Sequence, residues 1–311
     1  MMKILEAEDV RVQLTMPVCI DLMKTALIKL ETGQGVQPPR TIHTLPGENL
    51  FGFMPAWMDD CFGAKIVAAI HGNIGTEYPS HIGYIMIFES EHGVPMGLAE
   101  AGAVTAIRTA AVSAVATELL AHPEAEKLAV IGCGVQGRSH MEAMNQVRPI
   151  REVFCYDIDP ARTEAFAVEQ SALYGIPVRT ACSVQEAAAD ADIICTLTPS
   201  TEPILEAEWV KAGAHINAVG AFQPTKRELT SQLIASSRLY ADDVSAMKRE
   251  AGEYLIPLAE GLIDENHIVG SLGEVLLGRA PGRRSREEIT VFSALGLAVE
   301  DVICGRFLLC G

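Results

Sequence analysis

Aromatic residues are scarce in this chain, and its hydrophobic content is mainly aliphatic. Phe, Tyr and Trp together make up 5% of the 311 residues, whereas hydrophobic residues as a whole make up 49%. An apolar content dominated by Ala, Val, Leu and Ile is typical of layered α/β packing. Because the chain is longer than one domain usually is, we expect two domains.

Basic residues are also few. The chain has 24 Lys and Arg against 40 Asp and Glu, which gives a formal net charge of −16. This charge disfavours binding to nucleic acid and to an anionic membrane surface, so we expect neither as a partner. The one dense basic stretch, Arg279 to Arg286, is interrupted by Pro and Gly and predicts a solvated loop.

Paired cysteines, a signal peptide and a long apolar run are missing from the sequence. The eight cysteines are scattered singly without a CxxC pair, and no His/Cys/Asp spacing predicts a metal site. The opening segment MMKILEAEDV lacks the apolar stretch of a signal peptide, and no apolar run reaches the roughly 18 residues of a membrane span. We therefore expect a cytoplasmic protein without a bound metal.

The first part of the chain predicts a mostly antiparallel α+β domain. Apolar residues recur at helical spacing from Met16 to Leu30. The runs Gly63 to Ile70 and Gly83 to Phe88 are strand-like, and a turn at residues 91–93 leads into a returning strand. Residues 105–120 predict a helix whose small side chains permit close packing.

The second part alternates between buried strands and helices. Strands are predicted at residues 127–131, 152–156, 178–181, 192–197, 214–219 and 237–241, with helices between several of them. This alternation predicts an α/β fold with a parallel sheet, that is, a Rossmann domain. We place the domains at residues 1–120 together with a C-terminal helix at about 294–311, and at residues 121–293.

A glycine-rich loop follows the strand Lys127 to Ile131 and opens a predicted helix. In the segment GCGVQG, Gly132 allows a tight turn and Gly134 lets the backbone approach a pyrophosphate, while Gly137 permits close packing of helix on strand. The helix N-terminus supplies N–H groups for the phosphates. The segment therefore predicts that a nicotinamide dinucleotide binds here.

An acidic residue stands where the adenosine ribose is expected. Asp157 closes the next predicted strand, 20 residues after Gly137, where its carboxylate can accept hydrogen bonds from the ribose hydroxyls. The carboxylate would repel a 2′-phosphate, so NAD(H) is favoured over NADP(H), although Arg138 or Arg162 could shift that preference.

With these motifs the sequence resembles the ornithine cyclodeaminase/mu-crystallin family along nearly its whole length. The resemblance rests on Lys65 in AKIV, Asn73, Pro79-Ser80-His81, TAIRTAA at 105–111, GCGVQGRSH at 132–140, INAVGAFQPTKREL at 216–229 and FSALGLAVED at 292–301. It is nearest to the mu-crystallin, or ketimine reductase, and alanine dehydrogenase-like branch. It implies a substrate-binding and dimerisation domain, a Rossmann domain, a homodimer, and redox chemistry on an amino acid or its imine.

The resemblance also implies roles for charged residues of the first domain. Arg40 and Arg108 are expected to hold the substrate carboxylate, and Lys65 to lie at the reacting carbon. A guanidinium matches a carboxylate with two hydrogen bonds, and an ammonium can donate a proton while hydride arrives from the nicotinamide. Among the histidines of this domain, His71 is the best candidate for a further substrate contact.

The cofactor is expected at the ends of parallel strands, where ligands bind in open sheets. Position and resemblance together give the expected cofactor-binding residues as Ser80, Gly132, Gly134, Val135, Gln136, Gly137, Asp157, Thr196, Thr198, Val219, Gly220 and Ala221.

The sequence leaves three functions open. The leading hypothesis is an NAD(H)-dependent oxidoreductase that interconverts a small 2-imino or 2-oxo acid and its L-amino acid. The second is a cyclodeaminase that releases ammonia and recycles its NAD. Cyclodeaminases carry acidic residues where this chain has Phe222 and Gly52, so ring closure would lack an evident base. The third is a non-catalytic protein that binds a dinucleotide or a small ligand.

Overall fold

The computed structural model describes residues 2–73, 76–79 and 81–310, apart from the side chains of residues 48 and 71. The chain divides into two compact units, the first formed by residues 1–109 and 296–311 and the second by residues 110–295. This division falls inside the helix of residues 101–120, whereas the boundary predicted from the sequence lies at residue 120, the end of that helix.

Strands and helices alternate along the described chain. The strands are β1 Lys3–Leu5, β2 Gly35–Val36, β3 Thr41–Thr44, β4 Leu50–Met58, β5 Cys61–Ala69, β6 His81–Glu89, β7 Pro95–Glu100, β8 Lys127–Ile131, β9 Glu152–Tyr156, β10 Val178–Thr180, β11 Ile193–Thr196, β12 His215–Ala218, β13 Arg238–Ala241, β14 Ile268–Ser271 and β15 Thr290–Ser293. The α-helices are α1 Ala7–Gln13, α2 Met16–Glu31, α3 Ala101–Leu120, α4 Val135–Val147, α5 Pro160–Tyr174, α6 Val184–Ala188, α7 Ser231–Ala235, α8 Val244–Glu250, α9 Gly252–Ala259, α10 Leu272–Leu276 and α11 Ala298–Cys310.

The sheet of unit 1 has the order β1-β7-β6-β5-β4-β2, and β3 also pairs with β4. Every pairing is antiparallel except that of β1 with β7. Helices α2 and α11 pack on one another, and α11 covers one face of the sheet. That face carries buried Met54, Ile85 and Ile87, because alternate residues of a strand point to the same side.

Helix α3 is long and apolar enough to cross a membrane by length and composition alone, whereas no such segment is predicted from the sequence. Within the protein, 72% of its most apolar window is buried. Such burial is typical of a core helix, whose apolar surface packs against protein on all sides.

The sheet of unit 2 is parallel throughout and has the order β10-β9-β8-β11-β12-β15-β13-β14. Its first six strands follow the order of a Rossmann domain. From β8 the chain builds the sheet in one direction through β9 and β10, and it then returns to add β11, β12 and β15 on the other side of β8. The predicted fold class, a Rossmann domain with a mostly antiparallel α+β domain, is confirmed. The sequence did not predict β15, which ends directly before residue 294, where the last helix was predicted to begin. That helix, α11, begins at Ala298.

Candidate active site

Four buried charged side chains meet in unit 1. Lys65 lies in the middle of β5, and its Nζ is 2.8 Å from Oδ2 of Asp301 in the first turn of α11. Arg108 of α3 donates from Nε to Oδ1 of the same aspartate at 3.2 Å, and from Nη1 to Oε2 of Glu300 at 3.0 Å. Asp301 therefore holds both predicted substrate-binding cations at once.

Because these four side chains are buried away from water, each charge depends on its charged neighbours for stabilisation. Lys65 and Arg108 are 4% and 5% exposed, and Glu300 and Asp301 are fully buried. Because an isolated buried charge is costly, two cations and two anions in contact offset each other's loss of hydration. Burial lowers the pKa of Lys65 below that of a free amine, and the neighbouring carboxylate of Asp301 opposes the shift.

A glycine lies against the guanidinium of Arg108. Gly296, just before α11, has φ +77°, and a Cβ built on it would lie 2.6 Å from Nη1 of Arg108. Only glycine adopts this backbone conformation readily and also leaves room for the guanidinium. The glycine of the LGLAVED segment thus fixes where Arg108 lies.

The remaining predicted substrate residues also belong to unit 1. Arg40 lies between β2 and β3 and is partly buried. His71 begins the short 3₁₀ helix His71–Asn73, but its side chain lies outside the described part of the chain. Ser80, the predicted cofactor contact of this unit, also lies outside the described residues.

In unit 2 the glycine loop joins β8 to α4 with the local geometry that a phosphate site needs. A Cβ on Gly132 would lie 2.8 Å from the carbonyl oxygen of Leu197, and one on Gly137 would lie 2.6 Å from that of Gly132. A Cβ on Gly134 would meet nothing within 4 Å, so the backbone there is open to a ligand. Gly134 caps α4 without a side-chain hydrogen bond, which leaves the first N–H groups of the helix for an anion.

The two side chains that follow Gly134 differ in their surroundings. Val135 is exposed. The side-chain oxygen of Gln136 is buried and accepts no hydrogen bond from the described residues. An unpaired buried acceptor is unfavourable, so a bound donor would stabilise it.

Asp157 follows β9 as predicted and binds the glycine loop. Its Oδ2 accepts a hydrogen bond from the N–H of Cys133 at 2.9 Å, and Oδ1 accepts one from the N–H of Asp159 at 3.0 Å. Arg162 lies 3.4 Å from Oδ1. Each carboxylate oxygen can accept more than one hydrogen bond, so these contacts leave capacity for ribose hydroxyls.

The other predicted cofactor residues lie at or just after the ends of β11 and β12, which are neighbours in the sheet. Thr196, Val219 and Ala221 are buried, while Thr198 and Gly220 are partly exposed. A residue that the sequence analysis did not assign, Glu228 of the REL segment, accepts hydrogen bonds from this group. In unit 1 the unassigned residues are Glu300 and Asp301 of the buried charged cluster.

Two positions that distinguish cyclodeaminases are apolar here. Phe222 packs against the hydrophobic core of unit 2. Gly52 lies buried in β4 opposite Val67, and a Cβ on it would meet that side chain at 3.3 Å. Across the part of the chain that the structure describes, no three His, Cys, Asp or Glu side chains converge as they would around a metal ion.

The strand order and glycine loop of unit 2 define a protein of the Rossmann class, to which unit 1 adds a separate domain with a buried cluster of charges. The chain belongs to the ornithine cyclodeaminase/mu-crystallin family, whose model matches residues 1–309. The predicted family is confirmed.

Relatives match the chain over nearly its whole length. It is 38% identical to the ketimine reductase mu-crystallin of Mus musculus, over 98% of this chain and 95% of the mouse protein. The structure of Thermococcus litoralis Δ¹-pyrroline-2-carboxylate reductase in complex with NADH and L-proline superposes with a TM-score of 0.96 at 34% identity, covering 99% and 96% of the two chains. An archaeal alanine dehydrogenase dimer with bound NAD gives a TM-score of 0.94 at 30% identity, covering 99% and 95%.

Proposed function

We propose that this protein is an NAD(H)-dependent oxidoreductase that interconverts a small 2-imino acid, or a 2-oxo acid with ammonia, and its L-amino acid. The observation that carries the proposal is the buried contact of Lys65 and Arg108 with one carboxylate, Asp301. The relatives that match along the full chain, a ketimine reductase and a pyrroline-2-carboxylate reductase bound to NADH and L-proline, support it.

Arg108 and Arg40 are proposed to hold the substrate carboxylate. The ion pairs of Arg108 with Glu300 and Asp301 fix the direction of its guanidinium, so a planar carboxylate can meet an already oriented donor group. Preorganisation of this kind lowers the entropy lost when the substrate binds. His71 is proposed as a further substrate contact.

Lys65 is proposed to donate a proton to the imine nitrogen, or to accept one in the reverse direction. A reduced dinucleotide bound by unit 2 would supply the hydride that the α-carbon of the imine needs. Burial lowers the pKa of Lys65 towards neutral pH, where an acid–base group is most effective in both directions. The carboxylate of Asp301 opposes this shift, because it favours the ammonium form, and it directs Nζ of the lysine.

The residues of unit 2 fit a dinucleotide. We propose that the N–H groups of α4 hold its pyrophosphate at the open backbone of Gly134, and that Asp157 holds the adenosine ribose. Asp157 favours NAD(H) over NADP(H). Ser80 is proposed as an additional cofactor contact, with Val135, Gln136, Thr196, Thr198, Val219, Gly220 and Ala221.

A homodimer is proposed through the outer face of the unit 1 sheet, the face opposite α11. Large apolar side chains of β4 and β5 are exposed on it, namely Phe51, Phe53, Trp57, Phe62 and Ile66. A contiguous exposed apolar patch of this kind is typical of a protein interface. One relative, the archaeal alanine dehydrogenase, is a dimer.

The proposed compartment is the cytoplasm. All eight cysteines are free, including Cys19 and Cys304, whose sulfur atoms lie 3.9 Å apart. Free thiols so close together are typical of a reducing environment.

The test of this function is NADH consumption by the purified protein with cyclic and acyclic 2-imino acids, and with 2-oxo acids plus ammonium. Parallel reactions with ornithine are assayed for ammonia. We expect NADH oxidation with at least one imine. Ammonia released from ornithine without net NADH change would establish the cyclodeaminase instead, and turnover with none of these substrates would favour the binding protein.

A further inference from the structure

A single buried carboxylate in unit 2 joins the ends of two neighbouring strands. Glu228 lies between β12 and α7 and is fully buried. Its Oε1 accepts hydrogen bonds from the N–H and the hydroxyl of Thr198, at 2.8 and 2.7 Å. Its Oε2 accepts hydrogen bonds from the hydroxyl of Thr196 and the N–H of Gly220, both at 2.8 Å.

The two strand ends that Glu228 joins are in direct backbone contact. Thr196 pairs with Ala218 in the sheet, and Thr198 and Gly220 each follow two residues later. A Cβ on Gly220 would lie 2.0 Å from the carbonyl oxygen of Thr198 and 2.7 Å from Oε1 of Glu228. The position therefore accepts only glycine, and the carboxylate fixes the separation of the two segments.

Burying a carboxylate is costly, and these hydrogen bonds offset the cost with neutral donors. An apolar side chain would fill the same space without that cost, but would leave the N–H groups of Thr198 and Gly220 without this acceptor. The carboxylate is thus suited to hold two backbone segments in one defined arrangement.

We infer that Glu228 is a positioning residue for the nicotinamide end of the cofactor site, an inference that rests on the function proposed above. Both segments lie at the carboxyl ends of β11 and β12, where ligands bind in a doubly wound sheet. The glycine loop and Asp157, which are proposed to hold the adenosine half, make no contact with Glu228 among its described hydrogen bonds. Glu228 should therefore affect one half of the dinucleotide and not the other.

Glu228→Gln tests the inference because an amide has only one acceptor oxygen. The N–H groups of Thr198 and Gly220 bind opposite oxygens of the carboxylate, so in either orientation of the amide one of them faces an NH₂ group. We expect NADH affinity and the rate of imine reduction each to fall about tenfold, the equivalent of one lost hydrogen bond. The affinity for ADP-ribose, which lacks the nicotinamide, should stay unchanged.

Glu253→Gln is the matched control. Glu253 is also fully buried and accepts hydrogen bonds from the N–H groups of Glu228 and Leu229, at 2.6 and 3.3 Å. Burial raises the pKa of Glu253 to about 8, so this side chain is largely neutral at pH 7 and an amide replaces it closely. We expect this variant to bind NADH and ADP-ribose as the wild type does.

Calorimetric titration with NADH and with ADP-ribose, beside a thermal melt of each variant, separates the outcomes. Unchanged NADH affinity and turnover in Glu228→Gln would overturn the inference, and so would an equal loss of affinity for both ligands. If Glu228→Gln does not fold, Glu228→Asp, whose shorter side chain cannot reach both strand ends at the same distances, must show the same selective loss of NADH affinity or the inference fails. A wild-type protein that binds neither ligand would refute the proposed function itself.

Discussion

Asp301 is the residue on which the geometry of the unit 1 cluster depends, because it contacts Lys65 with one oxygen and Arg108 with the other. Removing one partner from a buried ion pair leaves an uncompensated charge, which typically costs about 3–5 kcal/mol of stability. A neutral residue at this position would therefore alter both the position and the charge state of the lysine.

The first prediction concerns Asp301→Asn. Because the carboxylate of Asp301 raises the pKa of Lys65 against the effect of burial, its removal should lower that pKa further. Imine reduction requires the protonated lysine, so the decline of kcat/KM on the alkaline side should move to lower pH. The measurement is the pH profile of kcat/KM for wild type and variant.

An exposed ion pair of the same unit provides the control for this profile. Asp60 lies 2.6 Å from Arg306 and is mostly exposed, so Asp60→Asn should leave the alkaline limb where it is in the wild type. An identical profile for Asp301→Asn and wild type would show that Asp301 does not set the protonation of Lys65.

The sequence predicted the cations of the cluster but not its anions. Lys65 and Arg108 stand in segments that the family resemblance singles out. Asp301 and Glu300 stand in such a segment too, yet they meet the cations only because α11 packs on β5. A contact between a strand and a helix so far apart along the chain leaves no spacing signal. The same reason applies to Glu228 and its strand ends.

At the scale of secondary structure elements, the glycine loop gives the second prediction. Gly134→Ala should weaken NADH binding and leave the melting temperature unchanged, because the added Cβ meets only open space. Gly137→Ala should lower both the NADH affinity and the melting temperature, since its Cβ would lie 2.6 Å from the carbonyl oxygen of Gly132. Thermal melts and NADH titrations of the two variants are the measurements; equal NADH affinity of Gly134→Ala and wild type would argue against a phosphate at this backbone.

Some elements with a strong hydrophobic periodicity were predicted to the residue. The ends of other elements depend on contacts between residues, which a periodic pattern of hydrophobic residues does not show. Strands β8 and β9 match the strands predicted at residues 127–131 and 152–156. Helix α3 begins at Ala101 rather than Thr105, because the carboxylate of Glu100 accepts hydrogen bonds from the N–H groups of Gly102 and Ala103.

Strand β15 shows the limit of periodicity. All four residues of Thr290–Ser293 are buried, and the strand lies between β12 and β13 in the sheet. A segment of four residues in which Thr and Ser flank Val and Phe is too short and too mixed for periodicity to identify it as a strand. The sequence therefore predicted no element over these four residues and began its last helix at residue 294, directly after them.

At the scale of the whole molecule, the third prediction concerns assembly. Phe53 is 41% exposed and lies beside Ile66 on the outer face of the unit 1 sheet. A charge there would be buried in the proposed dimer, so Phe53→Glu should yield a monomer. Light scattering after size-exclusion chromatography measures the mass.

An exposed apolar residue of unit 2 serves as the comparison. Leu173 on α5 is 66% exposed, and Leu173→Glu should remain dimeric because it lies outside the proposed interface. A wild-type monomer, or a dimer that persists in Phe53→Glu, would contradict dimerisation through this face.

The fold of both units followed from the sequence because local signals and the overall architecture agree. Alternation of strands and helices, the glycine loop and the acidic residue after β9 all indicate one parallel sheet. The substrate pocket did not follow in the same way, because the sequence does not show which side chains face it. The contact of Phe222 with the core of unit 2, for example, is visible only in the structure.

The most direct test of the central claim, that Lys65 performs acid–base chemistry in imine reduction, is the rate of NADH oxidation by Lys65→Met with the best imine substrate. We predict a fall in kcat/KM of about 10²–10⁴-fold, the usual contribution of a general acid, with unchanged NADH affinity. Lys29→Met, which breaks the ion pair of another lysine with Asp59 in the same unit, should retain wild-type activity. Wild-type turnover by Lys65→Met would contradict the account.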